Sequence, residues 1–311
     1  FGQGTIRCHP YVFDEMESAS THDLDGFDRA FWGHFGFILS NLTQSIIFAV
    51  TDARLTKAPN GKTHRYFQLI HRYSSNLAFI SDFSMIMLGA NLKRKEKFSA
   101  RLGDILSYLY LASAVLKRFH QDGEPESDLP LVDWCCQHLF YECGLAIQGV
   151  IANFPSLWAR MFLKVILQPF GPQRKKPSDQ LGHELACLLT EPSDARSRLT
   201  RLVYSQPSEN CPLGRLEEAF IKVCAVEALE KKIVRAVKKG ELQSLTLLEQ
   251  IDEAYQQGIL TKKEAQSLRD AEEARQESIA VDDFSHQDLS RTRDKVELSA
   301  QKTSPKPKAE V

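Results

Sequence analysis

The run NLKRKEKFSARLGDILSYLYLASAVLKRF, from Asn91 to Phe119, constrains the fold more than any other stretch of this chain. Phe98, Leu102, Ile105, Leu109, Ala112, Leu116 and Phe119 recur at alternating steps of four and three, so on a helix they form one continuous face. Asp104 is the only charged residue from Leu102 to Leu116. The apolar surface is therefore broader than a two-stranded coiled coil requires and predicts several helical neighbours. The cationic opening of the run, Lys93, Arg94, Lys95 and Lys97, reads as solvated helix surface, with phosphate binding as the sharper alternative.

A chain of 311 residues is long enough for one large or two ordinary domains with buried cores. Its formal net charge of -1 argues against a dedicated nucleic-acid binder, which relies on many cationic contacts to phosphate. The seven cysteines form no CxxC pair. Cys136 and Cys143 share an apolar helical stripe with Val132, Leu139, Ala146 and Val150, as small core residues of a reduced, cytosolic protein would. A zinc centre on Cys135, His138 and Cys143 is the rival reading, but a single helix cannot surround a tetrahedral ion and no second ligand cluster follows. The chain carries neither a signal peptide nor about twenty uninterrupted apolar residues, and its start at Phe1 reads as a piece of a longer protein.

Nearly every periodic segment is helical. His22 to Leu39 predicts a first helix with Phe27, Phe31, Phe35 and Ile38 along one side, broken near Ser40 and Asn41. KAPNGKT, Lys57 to Thr63, is a loop, and a second long helix carries Tyr66, Ile70, Tyr73, Leu77, Ile80, Ser84 and Met87 until Gly89. The Asn91–Phe119 helix follows, then the polar turn HQDGEPESD and a third helix from Leu131 to about Asn153. The fold class expected is all-α: an antiparallel, four-helix-bundle-like domain over residues 1–170. A Pro-rich linker with short helices is expected over 171–213, a helical extension over 214–284 and a disordered tail over 285–311. Within the extension, Leu216 to Val237 is amphipathic and two further helices flank Gly258. Thr261 and Glu264 there have the spacing of a capping box.

Chemical motifs are scarce. The chain has no GxSxG, HExxH, P-loop or EF-hand pattern, and Gly2-x-Gly4 lacks the third glycine of a dinucleotide fingerprint because Arg7 occupies its place. His64 and His71 lie seven apart without a carboxylate at ligand spacing, which suits solvated or capping roles. Arg101 and Asp104, one turn apart, predict an intrahelical ion pair. In FPSLWARMFLKVILQPFGPQRKKP, Trp158, Met161, Phe162, Val165 and Ile166 make an apolar face beside Arg160 and Lys164, with Arg174, Lys175 and Lys176 just beyond. Such a segment either closes the bundle or lies in a membrane interface, its cations drawn to anionic head groups.

Several blocks carry a resemblance. FGQGTIRCHPYV, LKRKEKFSARLGDILSYLYLASAVLKRF, DLPLVDW, PSDQLGHELACLLTEPSDARSRL, SQPSENCPLG and ESIAVDDF stand in one collinear order from Phe1 to about Phe284. Together they resemble the carboxy-terminal region of the long bacterial acyl-CoA dehydrogenases of fatty acid β-oxidation. That resemblance implies FAD-dependent oxidation of a fatty acyl-CoA to the trans-2-enoyl thioester, with a glutamate taking the α proton and the flavin accepting the β hydride. The glutamate of the resembling proteins lies upstream of the stretch matching Phe1 to Pro10, and FAD is held mainly by upstream domains. No catalytic, cofactor or metal residue is therefore assigned within this chain, which is expected to be inactive alone.

The role the resemblance implies is architectural. The partners are the upstream catalytic core of the same protein, a second copy in a homodimer, peripheral contact with a membrane, and the fatty acyl-CoA that reaches the core; nucleic acid is not among them. The location implied is cytoplasmic, at the inner face of the bacterial cytoplasmic membrane. Candidate docking residues for membrane or core are Trp158, Arg160, Phe162, Lys164, Arg174, Lys175 and Lys176, together with Lys93, Arg94 and Lys95. The alternative is a stand-alone, non-enzymatic helical domain that docks a protein partner.

Overall fold

The structure, a computed structural model, describes residues 9–171, 174–206 and 211–281. Among the described residues the chain is all-α and divides between Ala195 and Arg196 into two compact units. The expected tail at 285–311 lies outside the described residues.

The first unit begins with α1, Val12–Thr21, and α2, Leu24–Thr51. Asp23 caps α2 by accepting from the Gly26 N–H at 3.0 Å. The expected break at Ser40 and Asn41 does not occur, because both take helical positions and α2 runs on to Thr51. Nor does the phenylalanine stripe face inward. α2 buries Ala30, Asn41, Ser45 and Ala49 while Phe31 and Phe35 are exposed. Small residues let the neighbouring backbones approach, and α1 crosses close enough that a side chain at Gly33 would meet the Tyr11 ring at 2.4 Å.

Next come α3, His64–Leu88, a 3-10 turn at Gly89–Arg94, α4, Glu96–Gln121, and α5, Leu129–Ala152, with a proline in its first turn. Helices α2 to α5 form the antiparallel bundle, each packed on its chain neighbour, and α4 against α5 is the tightest pair. The expected α4 seam is buried as a set: Phe98, Leu102, Ile105, Leu109, Ala112, Leu116 and Phe119. It meets Val132, Cys136, Phe140, Cys143, Ile147 and Val150 of α5 in one core. Each fully buried side chain of this kind contributes about 1.5–3 kcal/mol. Part of the remaining apolar surface of α4 stays outside, since Leu106, Tyr110 and Leu111 are exposed, so α4 is not enclosed on all sides. Helix α3 buries Gln68, Arg72, Ser75, Asn76, Ser81, Asp82 and Ser84 among its apolar residues.

Helix α6, Leu157–Leu167, capped by the Ser156 hydroxyl, closes the bundle against α2 and α5, and α7, Asp179–Thr190, packs on α5. Part of the expected linker is thus integral to the first unit. A short α8, Asp194–Thr200, spans the division. The second unit comprises α9, Pro212–Lys238, α10, Leu247–Gln256, and α11, Lys262–Ile279. Its own core includes Val226, Ile233, Leu242, Ile251, Leu260 and Leu268. Thr261 and Glu264 form the capping box, each side chain bonded to the other's backbone N–H.

Candidate functional site

Asp52 ends α2 in the left-handed conformation, with its N-terminal neighbours in the helix and its carboxylate turned toward α3. Arg65 and Arg72, two turns apart on α3, both donate to it, and Arg174 donates from the segment after α6. Burial works against ionisation of Asp52, but the hydrogen bond and charge of Arg174, with the charges of Arg65 and Arg72, hold its carboxyl below the usual range. Three guanidinium groups thus share one carboxylate, a formal net charge of +2. Beside them Gln68 donates to the Arg54 and Thr56 carbonyls at 3.1 Å, and Tyr66 donates its hydroxyl to Asp133 Oδ1 at 2.7 Å, tying α3 to α5.

A second polar cluster lies at the other end of the α3 buried face. His9 Nδ1 accepts from the backbone N–H groups of Tyr11 and Val12 at 3.2 and 3.1 Å, so the neutral ring carries its proton on Nε2. That nitrogen lies 3.2 Å from Asp82 Oδ1, and His34 Nε2 is 4.0 Å from the same oxygen, while His34 Nδ1 meets Glu15 at 2.9 Å. Burial pushes the Asp82 carboxyl up to about 6, and burial followed by the nearby His34 pushes His9 down. The three side chains are close enough to surround a cation. A metal bound to His9 Nε2 would need the nitrogen that carries the proton, however, so the arrangement is a close histidine–carboxylate pair rather than a ligand set.

The sequence-predicted docking residues do not converge. Lys93 and Arg94 lie in the 3-10 turn and Lys95 at the start of α4, all three exposed. On α6, Trp158 is 60% exposed and stacks on Phe162 at 5.1 Å, whereas Phe162 itself packs inward on Phe79 and Phe83. Arg160 donates Nε to the Phe154 carbonyl at 2.5 Å, and Arg174 is bound to Asp52. Lys164 and Lys175 face solvent, and Lys176 lies 5.5 Å over the Tyr141 ring. Arg101 lies across Gly149 and donates to the Lys97 carbonyl at 3.3 Å, in place of the expected pairing with Asp104. His64 donates its Nδ1–H to the Pro59 carbonyl at 2.9 Å, and His71 is exposed. Cys135, His138 and Cys143 do not converge; Cys143 instead faces the Ile105 carbonyl at 3.8 Å, and His138 stacks on Trp134.

Sequence reasoning missed an exposed apolar face on α2. α2 exposes Phe31, Trp32, Phe35, Leu39, Ile46, Ile47 and Val50, with Trp32 at 65% and Phe35 at 54%. Trp32, Phe35, Leu39, Ile46 and Val50 follow one line along the helix, and no Asp, Glu, Lys or Arg occurs between Ala30 and Thr51. By length and composition α2 is apolar enough to cross a membrane, although His34, Asn41 and Gln44 interrupt it and it is packed against α1, α3 and α6. The charge-free run was the available signal.

The described residues form two all-α units, a helix bundle and a smaller helical unit. The chain belongs to the acyl-CoA dehydrogenase C-terminal, bacterial-type family, whose model matches residues 6–284. No solved structure matches it. Two hollows of the first unit do not suit the flavin that such enzymes use. The cavity beside Arg72 holds about 230 Å³, less than the roughly 300–1,000 Å³ of cofactor pockets. A surface groove of about 430 Å³ is lined by Asp14, Glu17 and Asp23, which would repel a diphosphate. The family's flavin chemistry is not assigned to these residues.

Proposed function

We propose that this chain is the accessory domain of an FAD-dependent enzyme that oxidises fatty acyl-CoA to trans-2-enoyl-CoA, and that the apolar face of α2 docks on the upstream catalytic part of the same protein. The observation that carries this reading is the unpartnered line Trp32, Phe35, Leu39, Ile46 and Val50 on a helix whose opposite side is already packed. Patches of this kind on soluble folds mark interfaces. The family is a domain of multi-domain enzymes, which supplies an occupant. The absence of cations along the face favours protein over an anionic lipid surface. In this reading the chain alone carries no dehydrogenase activity, because the catalytic base and the main flavin contacts lie in the upstream part.

The test is limited proteolysis of the parent enzyme carrying Trp32→Glu and Phe35→Glu. The substituted enzyme should release this domain as a fragment while the unsubstituted enzyme resists. Equal resistance would contradict the docking, and protection that disappears on dilution would assign the face to a second copy.

A second reading, peripheral membrane contact, is favoured by α6 alone. Leu157, Trp158, Met161 and Val165 are exposed beside Lys164, and Lys175 and Lys176 follow. Arg174 belongs to the Asp52 cluster and is left out of the test. Flotation of the parent enzyme on anionic vesicles should weaken with Lys175→Glu and Lys176→Glu; unchanged flotation would sink this reading.

A further inference from the structure

The cavity of about 230 Å³ lies between α3, α5 and the end of α6, lined by Arg72, Tyr73, Asn76, Tyr141, Gln148 and Arg174. Neither it nor the adjoining hollow of about 290 Å³, which adds Arg65, Lys175 and Lys176, has an Asp or Glu in its wall. Arg174 borders both. The cationic side of this wall is held in place from behind: Asp52 orients Arg65, Arg72 and Arg174 but neutralises only one of the three charges.

The wall is built rather than incidental. Arg72 is 3% exposed and bonded to Asp52, the carboxylate it shares with Arg65 and Arg174, so the charge of the cluster as a whole is held where an anion brought alongside is favourable. Arg174 Nε is buried without a hydrogen-bond partner, and so is the side-chain oxygen of Asn76, a residue only 2% exposed. Burial raises the Tyr73 hydroxyl to about 12, against the lowering effect of Arg174 and Arg72, so it remains a neutral O–H donor. The cavity therefore offers guanidinium and phenol donors together with the buried, unbonded amide oxygen of Asn76. A tetrahedral oxyanion that keeps one P–OH at neutral pH matches that mixture, with its charged oxygens toward the arginines and its hydroxyl toward Asn76. The volume is too small for a nucleotide and sufficient for a single phosphate group.

We propose that this cavity is a phosphate-binding site, with Arg174, Arg72 and Tyr73 donating to the oxyanion and Asn76 accepting from its hydroxyl. The site is independent of the α2 docking face and uses none of its residues. Two sources present the same chemistry, free phosphate and the head group of a phosphomonoester lipid, and the exposed Lys175 and Lys176 at the adjoining hollow attract either.

The test is calorimetric titration of the full chain with sodium phosphate, exchanged for sodium chloride at constant ionic strength. In parallel, the chain is sedimented with phosphatidylcholine vesicles containing phosphatidic acid. The expected result is saturable binding in at least one arm, weakened about tenfold or more by Arg174→Gln and several-fold by Tyr73→Phe, with circular dichroism unchanged. Binding of free phosphate assigns a soluble ligand; binding to vesicles alone assigns the lipid head group. No binding in either arm, or binding that both substitutions leave unaltered, overturns the proposal. Asp52 keeps two partners in Arg174→Gln, and Tyr73→Phe leaves the ion pairs intact, so the readout does not depend on a single variant's folding.

Discussion

Arg174 donates to the carboxylate of Asp52 across a sequence separation of 122, fastening the segment after α6 to the C-terminal end of α2. Removing Asp52 leaves three guanidiniums facing one another at a half-buried site. Asp52→Ala is expected to cost about 3 kcal/mol, toward the lower end for a broken buried pair because Asp52 retains some solvent contact. Arg174→Gln leaves two partners on the carboxylate and should cost about 1 kcal/mol. Urea unfolding of both variants checks the ranking; equal effects would mean that the cluster does not share its carboxylate as described.

Asp82 gives stability a pH dependence of defined sign. Its carboxyl is raised from 3.8 to about 6, so between those values the folded chain holds a proton that the unfolded chain has released. The Asp82 contribution is full below about pH 4 and is lost as pH rises through about 6, a loss of about 3 kcal/mol at roughly 1.4 kcal/mol per unit. His9 acts oppositely. Its lowered pKa makes the folded chain release a proton that the unfolded chain keeps, so its contribution is present above about 6.5 and fades as pH falls. Asp82→Asn should therefore be about 1–3 kcal/mol more stable than the unsubstituted chain at pH 8 and no more stable at pH 4. Urea midpoints at the two pH values decide it; a gain of the same size at both would trace to packing instead.

The α4 seam supplies a contrast within one helix. Leu102 is fully buried and Leu106, one turn on, is exposed. Leu102→Ala is expected to cost about 3–4 kcal/mol through the cavity it leaves, and Leu106→Ala about 0.5 kcal/mol or less in the isolated chain. Comparable losses at the two positions would mean that the helix is rotated from the position described.

That seam was legible because its spacing is a property of one helix and needs no partner to be read. The capping box at Thr261 and the hairpin around Gly258 were legible for the same reason. α2 was read less well. The spacing put Phe31 and Phe35 along one side without saying which side faces inward, while close packing at α1 and α3 favoured Ala30, Ser45 and Ala49, and Asn41 lies too far from the helix ends to break it. The polar clusters escaped altogether, because Asp52 with Arg174 and His9 with Asp82 are neighbours only after the bundle closes. Expected docking residues changed role likewise: nothing in RKK distinguishes Arg174, half-buried and bound to Asp52, from the exposed Lys175.

Cysteine reactivity follows from burial. Burial raises the thiols of Cys136 and Cys143, the latter to about 12, and both are enclosed in the core, whereas Cys187 is exposed on α7. N-ethylmaleimide at neutral pH should modify Cys187 in the native chain and reach Cys136 and Cys143 only after unfolding, as read by peptide mass spectrometry. Native modification of either core thiol would contradict the α4–α5 packing.

The docking role of α2 is tested most directly by hydroxyl-radical footprinting of Phe31, Trp32 and Phe35, first in this chain alone and then in the parent enzyme. The exposed rings should be oxidised readily in the isolated chain and be several-fold protected in the parent, independently of protein concentration. Equal oxidation in both would contradict the account, because the face would then remain open when the catalytic part is present.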